Sequence, residues 1–393
     1  MMNDELQVLG TPQNEKKRYK WIVGVIVLLM IALAGGFYWG YTLQQPEKIK
    51  TGKKIGDPTI VAELQHAVDS LLTDEMTLIG ALHGQAIVME VQTGEIKAMV
   101  GLERNYEGKY QACNNFAYQQ ELGSLIKTAS LLAVLETGKM ELSDTVCVGN
   151  GIMSIGEDLV MKDHNWHRGG YGTITLDRAL EVSSNIGIGI AVNKAFGENQ
   201  QEYFNLLEKM CFGKPDSIKG VEGLRLSSYS SPKDKDWAEW KIWWSAIGYE
   251  RKITPIQVLT FYNAIANGGK MVKPTLKTGE AEIVNPQIAS KKNIDSMQVV
   301  LEHVVSQGLG RKAGSTYVQV AGKTGTSQVN EYEFGEDIYL NEYQVAFCGY
   351  FPAFEPKYSI IVSMNKLGLP ASGGGMAGEV FHQIVEWMMA HEM

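Results

Sequence analysis

Residues 21–41 read WIVGVIVLLMIALAGGFYWGY, and no charged side chain falls among them. At 1.5 Å per residue a helix of that length covers about 31 Å, close to the hydrocarbon thickness of a bilayer. Aromatic residues sit at both ends: Tyr19 and Trp21 before, and Phe37, Tyr38, Trp39 and Tyr41 after. This is the belt expected where a spanning helix meets the two interfaces. A buried core helix of this length would carry a polar face. A cleaved signal peptide would end near Ala32-Leu33-Ala34, but the apolar run continues past that point. We therefore expect one uncleaved transmembrane anchor. Lys16, Lys17, Arg18 and Lys20 precede it, and Lys48, Lys50, Lys53 and Lys54 follow it, so flanking charge alone does not orient it. A short tail and a large C-terminal body favour a single pass with the N-terminus inside. The expected organisation is a cytoplasmic tail (1–20), an anchor (21–41), a basic linker (42–56) and a folded domain (57–393).

Composition narrows what that domain does. Hydrophobic residues make up 45% of the 393-residue chain and charged residues 20%, which suits a globular body. The net charge is −8 with Lys and Arg dispersed, so a nucleic-acid surface is not expected. Cys113, Cys147, Cys211 and Cys348 are too few and too scattered for a disulfide scaffold or a zinc site, and read as buried thiols. Asp163-His164-Asn165-Trp166-His167 fits no common zinc spacing and reads as a loop near a cleft. No metal or cofactor is expected. Trp237, Trp240, Trp243 and Trp244 fall at helical spacing and read as packing.

Asp57-Pro58 reads as a helix start, with Ile60, Leu64, Val68, Leu71 and Leu72 on one face. Apolar runs at 85–91 and 96–100 around Gln92-Thr93-Gly94 predict a β-hairpin. Residues 115–310 are mostly helical in pattern. Strand-like runs follow at 317–321, 343–351 and 358–364, then a closing helix from about Ala377 with Val380, Phe381, Ile384, Val385 and Met388 as its stripe. Strands at both chain ends with helices between predict an α+β fold. It has one antiparallel sheet built from both ends, flanking helices and an inserted helical subdomain.

Three short motifs carry candidate chemistry, and each occurs twice. Ser-x-x-Lys places a hydroxyl and an amine on one helix face, where a lysine whose charge is disfavoured can take the serine proton. It occurs at Ser124/Lys127 and at Ser230/Lys233. Ser-x-Asn occurs at Ser183/Asn185 and Ser363/Asn365, and Lys-Thr-Gly at Lys277 and Lys323. Context separates the copies. Ser124 follows Gly123 and opens a helical run, where free backbone N–H groups suit an oxyanion. Ser230 lies in a polar loop with Pro232 inside its motif. Ser183 and Asn185 interrupt an apolar helical pattern, so they need partners or a role. Ser363-Met364-Asn365 reads as a strand terminus, and Lys277 as an ordinary turn. Lys323, Thr324, Gly325 and Thr326 follow a strand-like run, and an edge strand of this kind suits a carboxylate and an extended peptide. The copies at 124, 183 and 323 run in sequence, whereas from Ser230 the only downstream Ser-x-Asn, at 363, lies beyond both Lys-Thr-Gly copies.

Those three motifs in that order resemble the penicillin-binding protein and serine β-lactamase superfamily. The likeness covers about 57–393 and is class B-like. It includes Gln92-Thr93-Gly94-Glu95-Ile96, Glu121-Leu122-Gly123-Ser124, Ile253-Thr254-Pro255-Ile256-Gln257, Ala266-Asn267-Gly268-Gly269 and Lys323–Gln328. The resemblance implies a peptidoglycan D,D-transpeptidase. Ser124 would attack a peptide ending in D-Ala-D-Ala, with Lys127 as base. Ser183 would relay the proton, and Asn185 would position the substrate amide. Lys323, Thr324 and Thr326 would hold the terminal carboxylate, and the N–H groups of Ser124 and Thr326 would form the oxyanion hole. It implies peptidoglycan stem peptides and β-lactam antibiotics as ligands, and a membrane glycan polymerase as a partner class. It implies single-pass placement in the bacterial cell (inner) membrane, with the catalytic domain outside the cytoplasm.

Leu122 and Thr128 stand where the family often has proline, and neither carries chemistry. The family usually has a sizeable non-catalytic region after the anchor, where this sequence has only 42–56. No glycosyltransferase domain is expected, so neither is a bifunctional enzyme. The alternatives are a β-lactamase or β-lactam sensor domain, a D,D-carboxypeptidase, and a non-enzymatic scaffold. No separate motif supplies a glutamate for deacylation, and sensor domains usually have Ser-x-Val rather than Ser-x-Asn.

Overall fold

In the computed structural model, the described residues are 58–115, 119–156, 159–210, 228–333 and 339–393. The expected anchor at 21–41 and Cys211 lie outside them. No helix among the described residues is long and apolar enough to cross a membrane. Residues from Lys54 to Met393 form one folded unit.

Alternating apolar side chains build the central sheet. Its strands are β1 (His83–Glu90), β2 (Ile96–Arg104), β3 (Tyr110–Ala112), β4 (Ala321–Glu333), β5 (Tyr339–Phe351) and β6 (Tyr358–Leu367). Their order is β4-β5-β6-β1-β2-β3, antiparallel throughout. The N-terminal hairpin therefore completes the C-terminal meander, with Ala86 opposite Val362 and Val362 opposite Phe347. Successive side chains point to opposite faces. Ala86 and Val88 enter one core with Val345, Phe347 and Val362. Ile87 and Met89 enter the other with Ala346, Cys348 and Ile361. Burial on both faces is why these strands read as continuous apolar runs.

Two helices cover the first face. Helix α1 (Ala62–Ile79) buries Leu64, Val68, Leu72 and Met76, one per turn, and stops at Gly80 in the left-handed conformation. It begins later than Asp57-Pro58 suggests. Pro58 instead bridges to Lys277, and Thr59 donates its N–H to Leu276 O and its hydroxyl to Ile96 O. These long-range bonds hold the segment extended and override the local helix signal. The closing helix, α8 (Gly378–Ala390), buries Val380, Phe381, Ile384, Val385 and Met388 as expected.

The inserted region packs on the second face. Its helices of six or more residues are α2 (Lys127–Glu136), α3 (Leu176–Glu181), α4 (Asn185–Phe196), α5 (Gln200–Lys209), α6 (Pro255–Ala266) and α7 (Lys291–Ser306). The helical expectation for 115–310 missed short antiparallel ribbons, such as 145–149 with 172–175 and 152–155 with 159–162. Most of their strands are too short and too exposed for an apolar alternation to show. Helix α6 is buried along its whole length, from the capping box of Thr254 and Gln257 to Ala266. Within it, Asn263 Nδ2 donates to Val91 O at 3.1 Å, and its Oδ1 accepts from Ser359 Oγ at 2.7 Å. It thereby ties both chain ends to the insertion. Asn263→Ala leaves these buried partners short of bonds, and is expected to cost about 1–3 kcal/mol in urea unfolding.

The remaining packing expectations fare unevenly. Cys348 is buried, but Cys113 is half-buried and Cys147 exposed, and all three are free. Trp237, Trp243 and Trp244 pack on the core, whereas Trp240 is exposed and the helix there is only Lys241–Ser245.

Candidate active site

One tight turn positions Ser124 and Lys127. The chain enters a 3-10 helix (Gly123–Ile126) at Gly123, whose φ is +52°, and continues directly into α2 at Lys127. A Cβ at residue 123 would sit 2.9 Å from Thr326 O, so the turn is pressed against β4 and only glycine fits. Ser124 is half-buried, and Lys127 has no exposed surface. The turn is held from behind: Tyr262 donates its hydroxyl to Leu125 O at 2.8 Å and contacts Thr128 Oγ1 at 2.8 Å. Thr128 thus has a packing partner of its own at the position where the family often has proline.

Ser183 and Asn185 lie at the break between α3 and α4. Ser183 has φ +54°, a left-handed conformation that costs a residue with a Cβ about 1–3 kcal/mol. The kink is fixed by Ser183 N–H to Leu180 O (3.1 Å) and Ser184 N–H to Ala179 O (2.8 Å). Ser184 Oγ caps α4 by accepting from Gly187 N–H. The sequence pattern, read as one interrupted helix, is in fact two helices meeting at this strained residue.

Three motifs meet at these hydroxyls. Lys127 Nζ donates to Ser183 O (2.6 Å), Ser183 Oγ (3.2 Å) and Asn185 Oδ1 (2.6 Å). Lys323 Nζ donates to the same Ser183 Oγ (2.9 Å) and to Thr324 O and Oγ1 (3.0 and 3.3 Å). Ser183 Oγ therefore bridges two buried amines. Burial pushes the Lys127 amine down to about 7, against the opposing pull of Asp163. Burial, with the Lys127 charge beside it, holds Lys323 well below the usual lysine range. No hydrogen bond joins Ser124 Oγ to Lys127 Nζ among the described residues.

Ser124, Ser183, Asn185, Thr324 and Thr326 line one cleft of about 370 Å³, together with His164, Leu309 and the segment 371–374. Gly325, between Thr324 and Thr326, lies against the turn that carries Ser124: a Cβ there would meet Leu122 O at 2.6 Å. Lys323 does not line the cleft directly but sits behind Ser183 and Thr324. None of the described residues lining the cleft is a carboxylate. Strand β4 begins at Ala321 rather than at Tyr317, so Lys323 is inside it, and it is a sheet edge as expected.

Several contributors were not apparent as site residues in the sequence. Asp163 is buried and accepts from Ser184 Oγ (2.8 Å), Asn185 N–H (2.6 Å) and Ile186 N–H (3.1 Å). Its loop was expected near the cleft, and His164 does line it, with Tyr171 OH 3.1 Å from its Nε2. No group of side chains among the described residues is arranged to hold a metal ion. Gly373 donates its N–H to Thr326 Oγ1 at 3.0 Å, and a Cβ there would lie 2.1 Å from Gly325 O. The Gly-Gly-Gly run at 373–375 was the available signal for this close approach.

The second motif copies fall elsewhere. Ser230 follows a two-residue ribbon strand and donates its N–H to Glu250 O, and Lys233 is exposed. Lys277 lies in a turn closed by Thr275. Ser363 and Asn365 are not at a strand terminus. They lie within β6, where Ser363 is buried against Gln85 and Gln120.

An antiparallel sheet clasped by helices, with a serine–lysine cleft at its edge strand, defines a class of known architecture. The fold matches the transpeptidase domain of Burkholderia pseudomallei penicillin-binding protein 3 with a TM-score of 0.71, 24% identity, and coverage of 86% of this chain and 97% of that one. It also matches Mycobacterium tuberculosis penicillin-binding protein 3 solved with aztreonam (TM-score 0.72, 24% identity, 86% and 79% coverage). The family model described as the penicillin binding protein transpeptidase domain matches residues 84–386, and the chain belongs to that family. Among curated relatives, penicillin-binding protein PbpB of M. tuberculosis is 26% identical over 85% of this chain and 52% of its own length. Stage V sporulation protein D of Bacillus subtilis is 26% identical over 76% and 48%. Peptidoglycan D,D-transpeptidase FtsI of Escherichia coli is 24% identical over 83% and 54%. The chain thus spans about half the length of these relatives.

Proposed function

We propose that this protein is a membrane-anchored peptidoglycan D,D-transpeptidase, acting through an acyl-enzyme on Ser124 and acylated at the same serine by β-lactams. The observation that carries this reading is the Lys127–Ser183–Lys323 chain beside Ser124. A buried amine near neutrality can take a proton, and a hydroxyl between two amines can pass one on.

Ser124 Oγ–H gives its proton to neutral Lys127 as oxygen bonds to the carbonyl carbon of the penultimate D-Ala. The carbonyl oxygen becomes an oxyanion facing the N–H groups of Ser124 and Thr326, on a turn and a strand that Gly123 lets approach closely. The C–N bond then breaks. Lys127 returns its proton through Ser183 Oγ to the departing amine, and D-Ala leaves. An amine from a second stem peptide attacks the ester, its proton replaces the one on Ser124, and a new amide forms. Asn185 holds the substrate amide. The substrate carboxylate meets the Thr324 and Thr326 hydroxyls. Thr326 Oγ1 already accepts from Gly373, so its own hydrogen remains to donate. Lys323 acts from behind: it donates to Thr324 Oγ1, which leaves the hydrogen of that hydroxyl for the carboxylate. Edge strand β4 suits pairing with an extended peptide.

The absence of a carboxylate among the described cleft-lining residues supports acyl transfer over β-lactamase turnover of the kind that uses a glutamate to activate water. The uncharged stretch 21–41 supports a single membrane anchor; a place in the bacterial cell (inner) membrane with this domain outside the cytoplasm, and a membrane glycan polymerase as the partner class, rest on the family resemblance. The discriminating experiment incubates the full chain in detergent with a peptide ending in D-Ala-D-Ala, with and without an amine acceptor, and follows products by mass spectrometry. The expected result is D-Ala release with transfer to the amine. Hydrolysis alone would make it a D,D-carboxypeptidase, and rapid β-lactam turnover would favour the β-lactamase reading.

A further inference from the structure

We infer that His164 is a further catalytic residue: its imidazole takes a proton from the acceptor ammonium when the acyl-enzyme is resolved by transfer. The inference rests on the reading of Ser124 as the acylated group and concerns the second half of that reaction.

The proton count calls for such a group. A lysine-type acceptor arrives as an ammonium, because its amine holds a proton up to about pH 10. The Ser124 ester and R–NH3+ give the amide R–NH–CO, the Ser124 hydroxyl and one free proton. The N–C bond forms, the C–O bond to Ser124 breaks, and one of the two protons lost from nitrogen returns to Ser124 Oγ. The other leaves first, since an ammonium has no lone pair with which to attack. Among the described residues that line the cleft, His164 is the one whose side chain titrates near neutrality.

The site itself places the ring. Lys162 O accepts from Asn185 Nδ2 at 2.7 Å. The Asp163 carboxylate accepts from Ser184 Oγ and from the N–H groups of Asn185 and Ile186. Both residues before His164 are thus bonded to the segment that carries Ser183 and Asn185. The acceptor nitrogen enters where the D-Ala amine departed, beside Ser183, and His164 lines the same cleft. The residue is exposed, so a proton taken there passes on to water. Tyr171 OH lies 3.1 Å from Nε2, and Nδ1 makes no hydrogen bond among the described residues. With Nε2–H donating to Tyr171, Nδ1 carries the lone pair that receives the proton, and the imidazolium keeps the same bond.

The charges around the ring favour a base. Partial burial, then the Lys127 charge from α2, hold the imidazole below its ordinary value; Arg168 on its own loop and Lys323 on β4 act the same way, and Asp163 opposes them. The ring is therefore neutral at pH 7 and able to accept a proton. Cations that disfavour its charge also disfavour an ammonium in the cleft, which eases the transfer.

The test uses the full chain in detergent with a donor peptide ending in D-Ala-D-Ala and two acceptors, each transfer product being measured by mass spectrometry. Nα-acetyl-lysine has to lose the extra proton, whereas hydroxylamine is already neutral at pH 7. The quantity read is the ratio of the two transfer rates, which cancels every step the acceptors share. In the parent protein this ratio should stay level from pH 7 to 9, because His164 acts on the abundant ammonium. In His164→Gln the ratio at pH 7 should fall by about 10²-fold and then climb about tenfold per pH unit as free amine appears. His167→Gln, on the same loop but outside the cleft lining, should keep the parent ratio. A parent ratio that climbs tenfold per pH unit, a His164→Gln ratio equal to the parent's, or the same fall in His167→Gln would overturn the inference. Fluorescent penicillin on Ser124 confirms that each variant is folded; if His164→Gln takes no label, the parent profile decides. A parent protein without a Ser124 adduct, or without transfer to either acceptor, refutes the transpeptidase reading. Transfer to both acceptors with an unmoved ratio refutes this inference alone.

Discussion

Ser124→Ala is expected to abolish covalent labelling by a fluorescent penicillin, while Ser230→Ala labels like the parent. The two serines head identical Ser-x-x-Lys motifs, so the pair of variants separates local sequence from three-dimensional setting. Ser124 opens a helical turn in the cleft, with Lys127 buried one turn on and the Ser183 relay beyond it. Ser230 lies on a ribbon away from that cleft, its Lys233 solvated and Pro232 breaking any helix between them. The label is read on a denaturing gel. Labelling that persists in Ser124→Ala, on Ser183 or elsewhere, would remove the nucleophile assignment.

The second large effect is at Lys127. Lys127→Met keeps the side-chain length without the amine, and Lys127→Arg keeps the charge and the donors. Both are expected to slow β-lactam acylation by about 10²–10⁴-fold. Arginine should not rescue, because a guanidinium stays protonated at any usable pH. In the parent protein the acylation rate should climb as pH rises through about 7, where burial places the Lys127 amine. The sign follows from the base role: the depressed amine is neutral above that pH and reactive there, and it is protonated and inactive below. Stopped-flow acylation from pH 5 to 9 checks both parts, with thermal melts confirming that each variant is folded. A Lys127→Arg variant that acylates at the parent rate would exclude lysine as the base.

Much of the fold follows from period and order in the sequence. The runs at 85–100 and 343–364 are too uniformly apolar for a half-solvated sheet, and both faces of the sheet are covered by helices. The closing stripe from Val380 to Met388 was readable because a buried helix face repeats every three to four residues. Where reading failed, long-range bonds had overruled local preference. Asp57-Pro58 is a good helix start, but Thr59 and Val61 are tied to Leu276, Ile96 and Lys97, and the helix waits until Ala62. The ribbons around 145–175 escaped notice because four- and five-residue strands bury too little for a pattern to form.

The site divides along a similar line. Ser124 and Lys127 share a helix face by spacing alone, and Gly123 marks the turn that admits them. Local context, with motif order as a second check, was enough to select Ser183, Asn185 and Lys323 from their duplicates. What sequence could not contain is the environment: two lysines stripped of water, a serine held at φ +54° between them, and a carboxylate 20 residues upstream of Ser183 bonded to the next helix. Spacing along a helix is a local property of the backbone, so residue order determines it. Desolvation, charge balance and the strain at Ser183 depend on which distant segments close over the same point, and only the tertiary structure decides that.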